Sequence, residues 1–173
     1  MSLDLAYFDL FYDTLQGIEN QDKKIVEKLQ GINADLLNIM ILYRGIKYYE
    51  IPREILFNYT IPHGCEFDKK NILNLCYCDS IDDFQQKILD TRYKFIFENE
   101  NNKDIFMERR CLRFQYFNIK DIERKRQMDI SGVLSFDLLL EYEIRDIVTV
   151  IESIRYDMPA EEASKYLIRK IKW

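Results

Sequence analysis

The stretch Leu140-Glu141-Tyr142-Glu143-Ile144-Arg145-Asp146-Ile147 opens a run from 140 to 154 that repeats an earlier one, 32 to 46, which begins Ile32-Asn33-Ala34-Asp35-Leu36-Leu37-Asn38-Ile39. With residue 32 laid on residue 140, Ile32, Leu36, Ile39, Tyr43 and Ile46 coincide with Leu140, Ile144, Ile147, Ile151 and Ile154. Steps of four and three alternate, so each set forms one stripe along a helix. Polar positions agree in kind: Asp35 meets Glu143, Asn38 meets Asp146, Lys47 meets Arg155 and Tyr48 meets Tyr156. After a slip of one residue, Pro52, Glu54, Tyr59 and Ile61 meet Pro159, Glu161, Tyr166 and Ile168. Proline suits the first turn of a helix and acids after it suit the positive end of the dipole. Each copy therefore reads as a long helix, a short break and a second helix opened by proline. The duplication, at about 32–61 and 140–168, predicts repeated helical hairpins of the kind that present surfaces to partners.

Working outward, the rest of the chain is also predicted to be helical. Five glycines and three prolines in 173 residues leave few sites for tight turns, which disfavours strand-rich folds. Leu3 to Gln16 forms an aromatic-rich amphipathic helix, and Asp22 to Gln30 a shorter charged one that Gly31 separates from the first long helix. Short helices follow near Lys69 to Tyr77 and Ile81 to Leu89, with Asp79 and Ser80 as caps for the latter. Glu98 to Asp104 is a polar loop, and another helix runs from Ile105 to Phe117. No linker forces a domain boundary, so residues 1–173 read as one all-α region. Both apolar stripes are expected to lock their helices into a close-packed interior, which deforms little.

Composition excludes several function classes. No apolar run approaches the ~20 residues of a membrane span, and the amino terminus lacks the layout of a signal peptide, so a cytoplasmic protein is expected. A formal charge of −5 gives no general affinity for nucleic acid or anionic membranes. Cys65, Cys76, Cys78 and Cys111 read as reduced, mostly buried thiols. Cys76-Tyr77-Cys78 lacks the spacing of a zinc knuckle, and the glycines are too scattered for a phosphate loop, so neither metal nor cofactor is expected. The single histidine, His63, sits in a turn between Pro62 and Gly64. The acids Asp82-Asp83 and Glu161-Glu162 fall in helix first turns, where capping explains them. Glu108 to Arg126 is locally basic, with seven basic residues against three acids and aromatics among them. In an acidic protein this is a solvated face or a dock for an acidic partner before it is a nucleic-acid strip. No catalytic residue emerges.

Ser131-Gly132-Val133-Leu134 through Leu139-Leu140-Glu141-Tyr142-Glu143-Ile144-Arg145-Asp146-Ile147 resembles the carboxy-terminal signature of the C-type subunit of archaeal and bacterial V/A-type rotary ATPases, which is the d-type subunit of the eukaryotic vacuolar enzyme. Leu3-Asp4 with Ala6-Tyr7-Phe8, Asp35-Leu36-Leu37-Asn38-Ile39, Ile61-Pro62-His63-Gly64 and Thr91-Arg92-Tyr93 follow that family's landmarks in order, from Leu3 to Ile171. The family pattern usually has asparagine where this chain has Asp146 and lysine where it has Leu140, which puts the polar contacts there in question. Family members are also longer and begin with a region absent here, so the chain resembles the carboxy-terminal half.

The resemblance implies an all-helical funnel of three similar repeats about a pseudo-threefold axis, and a non-catalytic central-stalk protein that joins the rotating shaft to the membrane rotor ring for ion transport. It would be peripheral, on the inner face of the membrane, with the shaft subunits and rotor ring as partners. Candidate contacts are Asp35, Asn38, Glu143 and Asp146, together with Arg109, Arg113 and Arg124 of the basic stretch. A free-standing helical-repeat adaptor unrelated to ATPases is the alternative, and an enzyme pairing His63 with a cysteine ranks third. If a missing region normally packs here, exposed apolar surface should promote self-association.

Overall fold

A computed structural model describes residues 2–18, 20–97, 104–125 and 130–169, and those residues are helical, turn or coil, with no strand among them. The helices are α1 (Ser2–Leu15), α2 (Asn20–Lys47), α3 (Arg53–Phe57), α4 (Lys69–Cys76), α5 (Ile81–Leu89), α6 (Met107–Lys125), α7 (Ser131–Arg155) and α8 (Ala160–Ala163), with 3-10 turns at Lys94–Ile96 and Asp104–Phe106. They fall into two units, divided between residues 101 and 102, and each unit carries one copy of the repeat.

The two segments have similar backbones around their prolines. α2 and α7 are the long helices, and the break after each contains a residue in the left-handed region two positions before the proline: Glu50 at φ 46° and Asp157 at φ 50°. Pro52 and Pro159 then stand at the N-cap of α3 and α8 with nearly the same backbone, φ −53°, ψ 138° and φ −57°, ψ 142°. Glu54, Glu161 and Glu162 lie in the first turns that follow. The slip is located by the closing bonds: Ile51 N donates to Gly45 O across six residues, and Met158 N donates to Ser153 O across five. The second break is one residue shorter.

Two boundaries differ from expectation. α2 continues through Gly31 because glycine there serves a close approach and not a break. A Cβ at Gly31 would stand 2.7 Å from Cys65 Sγ, and Cys65 N donates to Gly31 O. α6 runs eight residues past Phe117, to Lys125. Ser80 caps α5 by accepting from Asp83 N, whereas Asp79 donates its own N–H to Asp83 and caps nothing. Of the polar loop expected from Glu98 to Asp104, residues 98–103 lie outside the described residues and Asp104 opens a 3-10 turn.

In the first unit the stripe is core. Ile32, Leu36, Ile39 and Tyr43 are buried and Ile46 is half-buried. The chain beyond Ile61 returns over α2, so that Tyr43 meets Phe84 of α5 and Phe97. On another side of α2, Phe8 of α1 joins Ala34 and Ile61, with Leu5, Tyr12 and Leu37 packed against them.

In the second unit the expectation fails. Leu140, Ile144, Ile147, Ile151 and Ile154 are exposed, Ile144 at 53% and Ile154 at 71%. The buried positions of α7 are instead Ser131, Ser135, Tyr142, Asp146 and Ser153, on the opposite side of the helix. That side meets α6, and Tyr142 Oη donates to Gln115 of α6. Small side chains and a polar clasp, described next, hold α7 in place; the greasy stripe does not.

Candidate functional site

Each long helix carries a polar side chain at the same repeat position that grips the backbone beyond the proline-led helix. In the first unit Asn38 is 1% exposed and pairs in both directions with Ile61: Nδ2 donates to Ile61 O at 2.8 Å, and Oδ1 accepts from Ile61 N at 2.7 Å. An amide is needed, because one partner is an acceptor and the other a donor. In the second unit Asp146, also buried, accepts from Ile168 N at 2.7 Å, Arg169 N at 3.1 Å and Arg169 Nε at 3.0 Å. A carboxylate is suited here, because all three partners donate.

The Ile168 carbonyl, which a second asparagine would have satisfied, is taken by Arg113 of α6. Its Nε donates to Ile168 O and its Nη2 to Leu167 O, both at 2.8 Å. The same offset of 108 that aligns the long helices lays Arg113 on Leu5, which packs on the cluster holding Ile61. Arginine thus supplies the donor that an asparagine at position 146 would have given.

The first unit has a further clasp one helical turn before Asn38. Asp35, fully buried, accepts from Glu66 N at 2.8 Å, Phe67 N at 3.2 Å and Tyr93 Oη at 2.7 Å. Burial raises its carboxyl above the ordinary range, against the Tyr93 hydroxyl and the two amides, which favour the charged form. Burial, and then the bond to Asp35, push the Tyr93 hydroxyl far up, so it remains a donor. Glu143, the repeat counterpart of Asp35, is exposed and meets Arg169 Nη1 at 3.3 Å.

These placements redistribute the expected partner contacts. Asp35, Asn38, Asp146 and Arg113 are engaged inside their own units and act as clasps, because buried polar groups must be paired where they lie. Glu143 and Arg124 are at the surface, Arg124 beside Asp121 at 3.5 Å. Arg109 is half-buried with its guanidinium over the Phe106 ring. The basic stretch is therefore divided between internal work and surface ion pairs such as Lys120 with Glu123. Sequence reasoning missed Arg113 as a clasp; its one signal was its coincidence with Leu5, a charged residue standing where the other copy is apolar.

His63 adopts φ 66°, with its ring 4.1 Å from that of Tyr12, whose hydroxyl donates to His63 O. Cys76, Cys78 and Cys111 are buried, Cys65 is exposed, and all four are free thiols. Burial pushes the Cys76 thiol up to about 11. No group of three or more metal-ligating side chains occurs among the described residues.

The chain matches the family model described as ATP synthase (C/AC39) subunit over residues 1–166. No curated protein and no solved structure matches it significantly.

Proposed function

The chain belongs to the ATP synthase (C/AC39) subunit family of V/A-type ATPases, and on that footing we propose that it is a non-catalytic central-stalk component that couples the rotating shaft to the membrane rotor ring during ion transport. The observation that carries the reading is the extent of the family match, 166 of 173 residues. Its physical support is stiffness. A coupler must pass torque without yielding, and here the backbone beyond each proline-led helix is pinned back onto the long helix through Asn38 or Asp146. Satisfied buried polar groups rigidify and specify one arrangement.

Its partners in this reading are the shaft subunits and the rotor ring, and its place is peripheral, on the inner face of the membrane. No helix among the described residues is long and apolar enough to cross a membrane, so attachment would run through other subunits. Glu143, Arg109 and Arg124 remain the candidate contacts. The test is co-purification of the full chain with the shaft subunits and the detergent-solubilised rotor ring at low salt. Recovery of all three together is expected, and a chain that elutes alone while shaft and ring stay joined would refute the proposal.

A further inference from the structure

On α6, Arg109 is a half-buried cation with neither an acid nor a carbonyl to pair with among the described residues. Its guanidinium stands 5.3 Å from the centre of the Phe106 ring, and Phe106 in turn meets Tyr166 at 5.2 Å. Nε is sealed from solvent and makes no hydrogen bond. Other basic side chains of the same helix are matched: Arg113 grips Leu167 O and Ile168 O, Lys120 meets Glu123 and Arg124 meets Asp121.

The position is unfavourable in the single chain. Burial pulls the Arg109 guanidinium below its ordinary value, and no acid opposes the shift. Arg113 lies one turn on along the same face, and the two guanidiniums repel: burial, and then Arg109, lower Arg113 against the pull of Asp146. Arg109 is also the third residue of α6, where the positive end of the helix dipole disfavours a cation. Charges drawn out of water are as a rule paired or bound to a ligand, and this one is neither.

We infer that Arg109 anchors a docking seat for a side-chain carboxylate, a glutamate or aspartate in an acidic segment of a partner protein. Its terminal nitrogens, unlike Nε, are not sealed, and that edge of the fork matches both oxygens of a carboxylate in one plane. Phe106 and Tyr166, both half-buried, offer ring surface to the methylenes that carry such a carboxylate. Arg113 strengthens the field without competing for the ligand, because its Nε and Nη2 are already bound to carbonyls. A phosphate fits less well: it brings three acceptor oxygens, and one free fork beside aromatic rings leaves some of them unmet. Arginine among aromatic rings is also where protein interfaces concentrate their binding energy. The seat would take such a carboxylate whichever protein carries it, so it stands apart from the coupling role.

Nitrogen–proton NMR of the full chain, read at the arginine Nε–H groups, tests this with acetylated tetraglutamate amide as the probe at constant ionic strength. A saturable shift of the Arg109 Nε–H is expected, half complete at roughly millimolar peptide. In variants the Arg113 Nε–H and the Tyr166 ring protons carry the readout. Arg109→Lys keeps the charge but loses the fork and should weaken binding at least about tenfold, and Arg109→Gln should abolish it. Lys120→Gln, further along α6, should leave the affinity as it is. Circular dichroism and exchange of the Ile168 amide check that each variant keeps its fold; should Arg109→Gln lose it, the comparison with Arg109→Lys decides. Absence of a saturable shift at tens of millimolar peptide, equal binding by Arg109→Lys, or a stronger response to inorganic phosphate than to the peptide overturns the inference. Each of these outcomes is independent of whether the chain co-purifies with shaft and ring.

Discussion

Asn38→Asp is nearly isosteric, yet it should be among the more damaging single-atom exchanges in the first unit. The nitrogen that donates to Ile61 O at 2.8 Å becomes an oxygen, so two acceptors face each other at a site that is 1% exposed. The loss comprises a hydrogen bond worth about 1 kcal/mol and a buried carbonyl left unpaired at about 1 to 3 kcal/mol, giving a total of about 2 to 4 kcal/mol while the new carboxyl is ionised. The protonated acid escapes this, because its O–H can donate to Ile61 O while its other oxygen still accepts from Ile61 N. A penalty on the charged form holds the folded-state carboxyl above the ordinary carboxylate range. A folded-state pKa above the unfolded one contributes stability that is complete below the unfolded value and disappears as pH rises through the folded value. The variant should therefore approach wild type near pH 4 and show its full deficit above about pH 7. Urea unfolding of the full chain at both extremes measures the difference, and exchange of the Ile61 amide localises it. A deficit that is absent at neutral pH, or equally large at both, would refute the two-way amide clasp.

Four further outcomes follow from the same geometry. Asp146→Asn should destabilise the second unit by about 1 to 3 kcal/mol, because its amide would turn N–H groups toward Ile168 N or Arg169, and chemical denaturation reads the loss. Arg113→Met, which keeps the stem and strips donors from Leu167 O and Ile168 O, should cost a similar amount, and Arg113→Met with Asp146→Asn should cost less than the sum, since the new amide can serve Ile168 O. Glycine substitutions should divide by sign in thermal melts: Gly132→Ala meets nothing within 4 Å and should stabilise by about 0.5 to 1 kcal/mol, whereas a Cβ at Gly64 overlaps Asp35 Oδ1 and stands 2.8 Å from Phe67 O, so Gly64→Ala should destabilise. In the native chain near pH 8, burial should slow alkylation of Cys76 by roughly two orders of magnitude relative to a free thiol, as read by mass spectrometry; equal labelling of Cys65 and Cys76 would contradict this.

Periodicity made the long helices, their breaks and their proline-led sequels legible, because heptad-like spacing and a paired proline are local signals. It could not say which side of each helix would be inward. The stripes of α2 and α7 are nearly interchangeable as patterns, but one is covered by α4 and α5 and the other has no such cover among the described residues. Burial depends on what else the chain brings, and a hydrophobic pattern states only a preference. Gly31 misled for a related reason: as a weak helix former it reads as punctuation, while its purpose, a close approach by the backbone at Cys65, is tertiary. Asn38 and Asp146 were singled out by their matched positions, but as partner contacts. That they clasp Ile61 and Ile168 was implicit in the alignment, which pairs those two residues as well.

The serine-lined side by which α7 meets α6 has a thermodynamic consequence. Met107, Cys111, Ile119, Tyr142, Leu167 and Ile168 are the buried hydrophobic residues among those described in the second unit, while its aliphatic stripe on α7 is exposed in the single chain. Melting that unit wets comparatively little new hydrocarbon. Its heat-capacity increment and denaturant slope per residue should both be shallower than those of the first unit, and its stability curve correspondingly flatter with temperature.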